Sequence, residues 1–320
     1  MTVLAATRDG LFMQEEAQSW RRCGLAGLEV TSVIAREGVI LAGTRQGVWR
    51  SDDRGENWAA ASAGLTSRHV RWLAFHPDVS DLEMAGTEPA GIFLSHDGAQ
   101  TWRAAPEVPR LRDAHGWFLP YSPEAGCVRG FAVHGRRLYA AVEVGGVLVS
   151  DDRGQTWKLA DGSDGRPRFS VPAPGMVHPD VHSIEAHPSS PDRVLAVTGS
   201  GLFRSEDGGG EWRCLYACYC RAAWWDPRDA DHIIFGPADN VDRGGRIEET
   251  RDGGRTWRKA DVNMHTPWPR HMVERLAVVG PELYAVLSNG ELWRAPRAGL
   301  IWQPTDLPGR AAAVWGMADE

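Results

Sequence analysis

The chain is predicted to be all-β: a seven-bladed β-propeller of four-stranded antiparallel blades, forming one domain over residues 1–320. Three observations carry this. A motif of the form S-x-D-x-G-x-x-W recurs along the whole chain, and a Gly with an apolar strand precedes each copy. The intervals between the closing tryptophans, 38 to 55 residues, each hold four short strands with turn signals.

The motif reads SDDRGENW from Ser51, SHDGAQTW from Ser95, SDDRGQTW from Ser150, SEDGGGEW from Ser205 and TRDGGRTW from Thr250. Two worn copies complete the series: MQEEAQSW ending at Trp20, with Glu15 in place of Asp, and APRAGLIW ending at Trp302, with Arg297 there. The preceding glycines are Gly10, Gly47, Gly91, Gly146, Gly201, Gly245 and Gly290. Blade three shows the unit: inner strand HVRWLAFHP, second strand EMAGTEP, third strand GIFLSHD, then the motif turning into TWRAAPE. In the motif an Asp carboxylate can accept turn N–H groups and Gly can supply a positive φ, so these Asp residues are expected to be structural. DDRGENW lacks the twelve-residue spacing of a calcium loop.

Trp20 comes too early for four strands, so blade one starts at its second strand, TVLAATRD. The surplus C-terminal AAAVWGMADE is expected to close the ring beside it.

The five clear motifs resemble the Asp-box, or BNR, repeats of sialidases, sortilin-like receptors and the photosystem assembly propellers, over essentially the whole chain. The resemblance implies the propeller fold. Sialidases have six blades, an Arg-Ile-Pro segment, an arginine triad and a Tyr/Glu nucleophile pair with an Asp acid; this chain has seven repeats and no Arg-Ile-Pro. Seven blades look more like the assembly-factor propellers, whose role is to bind a partner protein.

Composition narrows the function classes. A formal charge of −7 argues against a nucleic-acid-coating surface. No apolar run approaches the roughly 18 residues of a membrane-spanning helix. The opening MTVLAATRDG lacks a signal-peptide pattern, which gives the expectation of a cytoplasmic protein. Five cysteines without paired spacing fit reduced thiols, with Cys214, Cys218 and Cys220 the alternative as soft metal ligands. No motif for a nucleotide cofactor stands out.

Four segments exceed the minimal repeat: 108 to 125, 161 to 179, 238 to 245 and 262 to 271. Strand direction puts all four on the face opposite the Asp boxes, around the mouth of the central channel, where long loops on a rigid scaffold carry binding residues. Aligning the inner strands brings Thr31, Arg71, Arg129, His182, Arg221 and Glu274 to one level. Two residues toward the mouth lie Glu29, His69, Cys127, Asp180, Tyr219 and Met272; two residues deeper lie Val33, Leu73, Phe131, Ile184, Ala223 and Leu276.

Arg71, Arg129 and Arg221 can converge on an anion, since guanidinium forks suit carboxylate or phosphate; the alternative is that each pairs with a local acid such as Asp180, Glu274 or Glu185. His178, Asp180 and His182 share one side of HPDVH, with His69 and His271 at comparable height and His115 and His265 in the face loops. That set is a candidate site for Zn, Fe, Cu or Mn, ligated by His69, His178, Asp180, His182 and His271. Without a metal, His182 serves as a general base held by Asp180 or Glu274. His76, His134 and His187 recur on the box side as turn residues. Trp117 and Trp268, which no repeat demands, are expected to form an aromatic wall over a ligand.

The leading functional expectation is an enzyme acting on a small anionic substrate, with Arg71, Arg129, Arg221, Trp117 and Trp268 binding and His182, Glu274 and Tyr219 catalytic. One alternative is a non-catalytic propeller holding a protein or peptide partner on the same face. A second is a sialidase-like glycoside hydrolase using Glu274 and Tyr219.

Overall fold

A computed structural model describes residues 1–16, 18–168 and 170–318. Ala17, in the worn first motif, Phe169, in the 161 to 179 segment, and the last two residues of the C-terminal segment lie outside the described residues.

Seven four-stranded antiparallel sheets form the blades, six of them built from consecutive strands. The seventh joins the chain ends: Ala311–Met317 pairs with Thr2–Thr7, which leads through Gly10–Gln14 to Arg21–Gly24. The ring therefore closes as the sequence predicts. Apolar side chains of neighbouring blades interlock; Leu41 and Val48 of blade two, for instance, share a core with Leu73, Ala85 and Phe93 of blade three.

The Asp boxes are closed hydrogen-bond devices. In the fourth blade, Ser150 Oγ accepts the N–H of Gly154 (2.8 Å) and donates to Asp152 Oδ1 (2.8 Å), which also accepts the N–H of Thr156 (2.9 Å). The same donors hold Asp53 and Asp97 at pKa values of about 2, chiefly through bonds from Asn57 and Thr101. In Asp53, Asp97 and Asp152 both carboxylate oxygens thus have turn partners. Ser150→Ala strands the buried Gly154 N–H, so a loss of about 1–3 kcal/mol is expected in urea unfolding, with ligand binding on the opposite face unchanged.

The box-side histidines staple neighbouring blades. Nε2 of His76 donates to Gly135 O (2.7 Å), that of His134 to Pro188 O (3.1 Å) and that of His187 to Asp226 O (3.0 Å). In His76 and His187 the other nitrogen accepts a backbone N–H two residues on, which fixes the tautomer.

One feature of the inner strands positions the site. The pairing register slips once in each of blades two to seven: between Val30 and Ser32, Val70 and Trp72, Val128 and Gly130, Val181 and Ser183, Cys220 and Ala223, and Val273 and Arg275; in blade one it slips at Ala312. In blades two to seven the residues left without a ladder partner are Thr31, Arg71, Arg129, His182, Arg221 with Ala222, and Glu274. A β-bulge frees one residue from the ladder and re-aims its side chain. The ring of bulges coincides with the ring of polar residues aligned from the sequence.

Two elements differ from expectation. Segment 108 to 125 contains a helix, Glu107–His115, ended by Gly116 at φ 65° with Trp117 N–H bonded to Arg112 O. Pro109 lies in its first turn, where no intrahelical N–H bond is lost. Trp117 and Trp268 form no aromatic wall. Only 3% and 6% exposed, they are loop anchors in the core. Trp117 Nε1 donates to Gly165 O (2.8 Å), tying the first inserted segment to the second. Trp268 exchanges backbone bonds with Gly244 and Gly245, tying the fourth to the third. Burial of so much apolar area outweighs holding it in water for a ligand.

Candidate functional site at the channel mouth

The bulged residues build a charged plug across the channel. Glu274 is clasped by Arg129 Nη2 at 2.5 Å and Arg221 Nη1 at 2.6 Å. Arg129 also holds Glu143 (3.1 Å), and Arg71 holds Glu88 (3.1 Å). Burial alone would raise the pKa of Glu274, but Arg221 and Arg129 override it and hold the carboxyl well below its usual range. With both oxygens occupied, Glu274 is a positioning group, unsuited to act as acid, base or nucleophile.

Two cavities meet at this plug, sharing Arg129, Arg221, Glu274 and Arg275. The inner one, about 70 Å³, is lined on one side by Trp72, Phe131, Ile184 and Leu276 and on the other by charged and polar side chains. Glu185 also lines it, its carboxyl pushed up to about 7 by burial. The mouth cavity, about 340 Å³, is lined by six arginines: Arg8, Arg45, Arg71, Arg129, Arg221 and Arg275. Against them stand three carboxylates, Glu29, Asp242 and Glu274.

Arg275 was not singled out by the sequence. Strict alternation turns it away from the channel if Glu274 faces in, but the bulge at Glu274 resets the phase. Its Nη2 donates to the carbonyls of Thr31 (3.1 Å) and Arg71 (3.4 Å), and its guanidinium lies 4.3 Å from the Trp72 ring centroid. Among the described residues no carboxylate forms an ion pair with it. Burial, with repulsion from Arg129, lowers its pKa to about 9.

Glu88 and Glu143 were also missed, although a signal exists. In blades one, two and five the second strand ends in a Thr three residues before the next strand's Gly, as in Thr7, Thr44 and Thr198. Blades three and four each carry one more residue in this turn, and it begins with Glu.

The histidines do not assemble as one set. His69 faces Glu88 (3.6 Å), and burial together with Arg71 lowers its pKa to about 4. His178 accepts the N–H of Asp180 at Nδ1 (3.2 Å), and His271 lies against Trp268, 5.0 Å between ring centroids. His182 is different. Its Nδ1–H donates to Cys220 O (2.8 Å), which leaves Nε2 facing Asp180 Oδ1 (3.2 Å) and the Tyr219 hydroxyl (3.4 Å). Arg221 Nε donates to that hydroxyl (3.2 Å), and burial raises the phenol pKa to about 12. Among the described residues, Glu143, Asp180 and His182 alone form a group of three metal-ligating side chains within mutual reach. Cys214, Cys218 and Cys220 are free thiols outside it.

With this geometry in place, the class of protein is plain: an Asp-box β-propeller of seven blades. A BNR/Asp-box repeat model matches residues 148–159. The chain is 32% identical over 94 residues to the oligoxyloglucan-reducing end-specific xyloglucanase of Emericella nidulans, a stretch that is 28% of this chain and 10% of that enzyme. An ancestral GH74 enzyme superposes on 98% of this chain and 40% of its own, with a TM-score of 0.62 at 15% identity. YCF48 bound to D1 peptide is matched over 92% of this chain and 89% of its own, with a TM-score of 0.61 at 14% identity. YCF48 from Cyanidioschyzon merolae gives 0.59 at 13% identity, covering 89% and 87%. The chain thus spans less than half the length of the xyloglucanase and of the GH74 enzyme. At these identities the likeness to solved structures carries the fold alone.

Proposed function

We propose that this propeller binds a small organic anion, bearing carboxylate or phosphate, in the mouth cavity opposite the Asp boxes. One observation carries the reading: six arginines and only three carboxylates line about 340 Å³ in a chain whose formal charge is −7. The volume falls in the range of small-molecule sites. Arg275, stacked on Trp72 and without a carboxylate partner, is the group whose charge an anion would complete. Glu274, clasped by Arg129 and Arg221, holds the arginines in place and takes no proton-transfer role. The Glu274–Tyr219 pair of a sialidase-like reaction is accordingly not poised for it.

Calorimetric titration with citrate and inorganic phosphate at low salt tests the binding. The expected result is binding that weakens at least about tenfold in Arg275→Met and Arg71→Ala, consistent with loss of a charge-assisted contact. Absence of binding to wild type, or equal affinity in the variants, overturns the reading.

A second reading, a protein partner on the same face, is favoured by apolar side chains on the inserted loops: Phe118 is 42%, Val171 87% and Val241 49% exposed. It is distinguished by a Val171→Ser/Val241→Ser variant, which would lose such a partner yet bind anions as wild type does.

A further inference from the structure

We propose that Glu143, Asp180 and His182 bind a divalent transition-metal ion in the channel wall, with His182 Nε2 as the nitrogen ligand. The residues are 3%, 7% and 2% exposed, and their ligand atoms all lie within 4.8 Å of one another.

The tautomer of His182 makes the case. A carbonyl oxygen only accepts, so the contact from Nδ1 to Cys220 O places a proton on Nδ1. In the neutral ring, Nε2 then carries a lone pair, and it faces Asp180 Oδ1 at 3.2 Å. Two lone-pair atoms at that distance repel unless a proton or a metal ion stands between them. A backbone carbonyl that receives the far N–H is the usual means by which a protein orients a histidine for a metal. The 3.2 Å separation also fits one edge of a tetrahedron, about 3.4 Å for bonds of about 2.1 Å.

The surroundings support a built site. A Cβ on Gly199 would lie 2.3 Å from Asp180 Oδ2, so the absent side chain makes the room that the carboxylate uses. Arg129 Nη1 and the Cys127 thiol both approach Glu143 at Oε2 and fix the carboxylate in place beside Asp180 and His182. His182 lines the inner cavity, which gives the ion a route from the channel. One His with two carboxylates suits Zn²⁺, Mn²⁺ or Fe²⁺ and leaves a position open. This ligand set takes Glu143 from the neighbouring blade in place of His69, His178 and His271. It stands whether or not the mouth cavity takes an anion.

The test uses the full chain carrying Cys214→Ser, to remove an exposed thiol, stripped with EDTA and titrated with ZnCl2 and, separately, CoCl2. One equivalent is expected to bind, with a visible Co²⁺ band of tetrahedral or five-coordinate type. His182→Gln and Glu143→Gln should weaken binding roughly 100-fold or more. Gly199→Ala, which removes no ligand but displaces Asp180, should weaken it as well, while His271→Ala leaves it unchanged. Thermal melts with and without ZnCl2 separate loss of the site from loss of the fold, since a folded variant without the site shows no metal-dependent rise. Failure of the parent chain to bind, or equal binding by His182→Gln and Glu143→Gln, overturns the proposal. So does nitrogen NMR showing His182 protonated on both nitrogens at pH 8 with ZnCl2 present, because a proton then fills the place given to the metal.

Discussion

A chain ending at Gly309 is expected to lose its cooperative fold. The deleted strand, Ala311–Met317, is the innermost strand of the blade that joins the termini and the wedge between blades seven and two. Ala313 and Met317 pack with Leu4, Met13, Val30 and Val33, whereas Ala311 and Val314 pack with Val279, Tyr284 and Val286. Trp315 Nε1 donates to Ala35 O across the blade boundary (3.0 Å). Burial of Val314 and Met317 contributes on the order of 1.5–3 kcal/mol each, and the ladder to Thr2–Thr7 is lost with them. The total approaches the 5–15 kcal/mol that typically separates folded from unfolded chains. Deletion also exposes Thr2–Thr7 as an unpaired edge. Near-ultraviolet circular dichroism and urea unfolding should show a flattened, early transition, and a synthetic peptide of residues 310–318 in excess should restore part of it. A truncated chain whose urea midpoint matches that of the full chain would show that the closing strand does not hold the ring.

Much of this architecture was legible because a repeat prints itself as a period. The box tryptophans counted the blades, and the short first interval located the closing strand at the other end of the chain. The level of Thr31, Arg71, Arg129, His182, Arg221 and Glu274 was legible because each blade supplies one equivalent position. Less legible was why that level is special. A bulge has no residue signature of its own here, and without it strict alternation sends Arg275 the wrong way.

The carboxylates that balance the arginines were hidden for another reason: Glu88 and Glu143 lie on second strands, opposite His69 and Cys127, and cross-strand neighbours are set by register. Trp117 and Trp268 were correctly seen as additions to the repeat. Their role follows from burial against neighbouring loops, which a residue type alone does not disclose.

Arg129→Ala is expected to have the largest effect of any single substitution at the site, and its effect should depend on acidity. Arg129 is the shared partner of two carboxylates, Glu143 and Glu274, and is itself buried. Removing one partner of a buried pair leaves an uncompensated charge, at a cost of about 3–5 kcal/mol. Glu274 retains Arg221, whereas Glu143 keeps no cationic partner of that kind, only the Cys127 thiol and the Tyr121 side chain. In the native protein burial raises the Glu143 pKa, but Arg129 leads the groups that bring it down to about 2, below the value near 4.3 of an unfolded chain. The unfolded state therefore binds more protons between those values, and stability falls with falling pH through that window. Stability from this group is complete above about pH 5 and lost by about pH 2. In Arg129→Ala the depression is removed, so the variant should be much less stable than wild type at pH 7 and close the gap as the pH falls toward 3. Urea midpoints measured from pH 7 to pH 3 would show the two curves converging. Parallel curves would mean that Arg129 acts through packing and not through its two carboxylates.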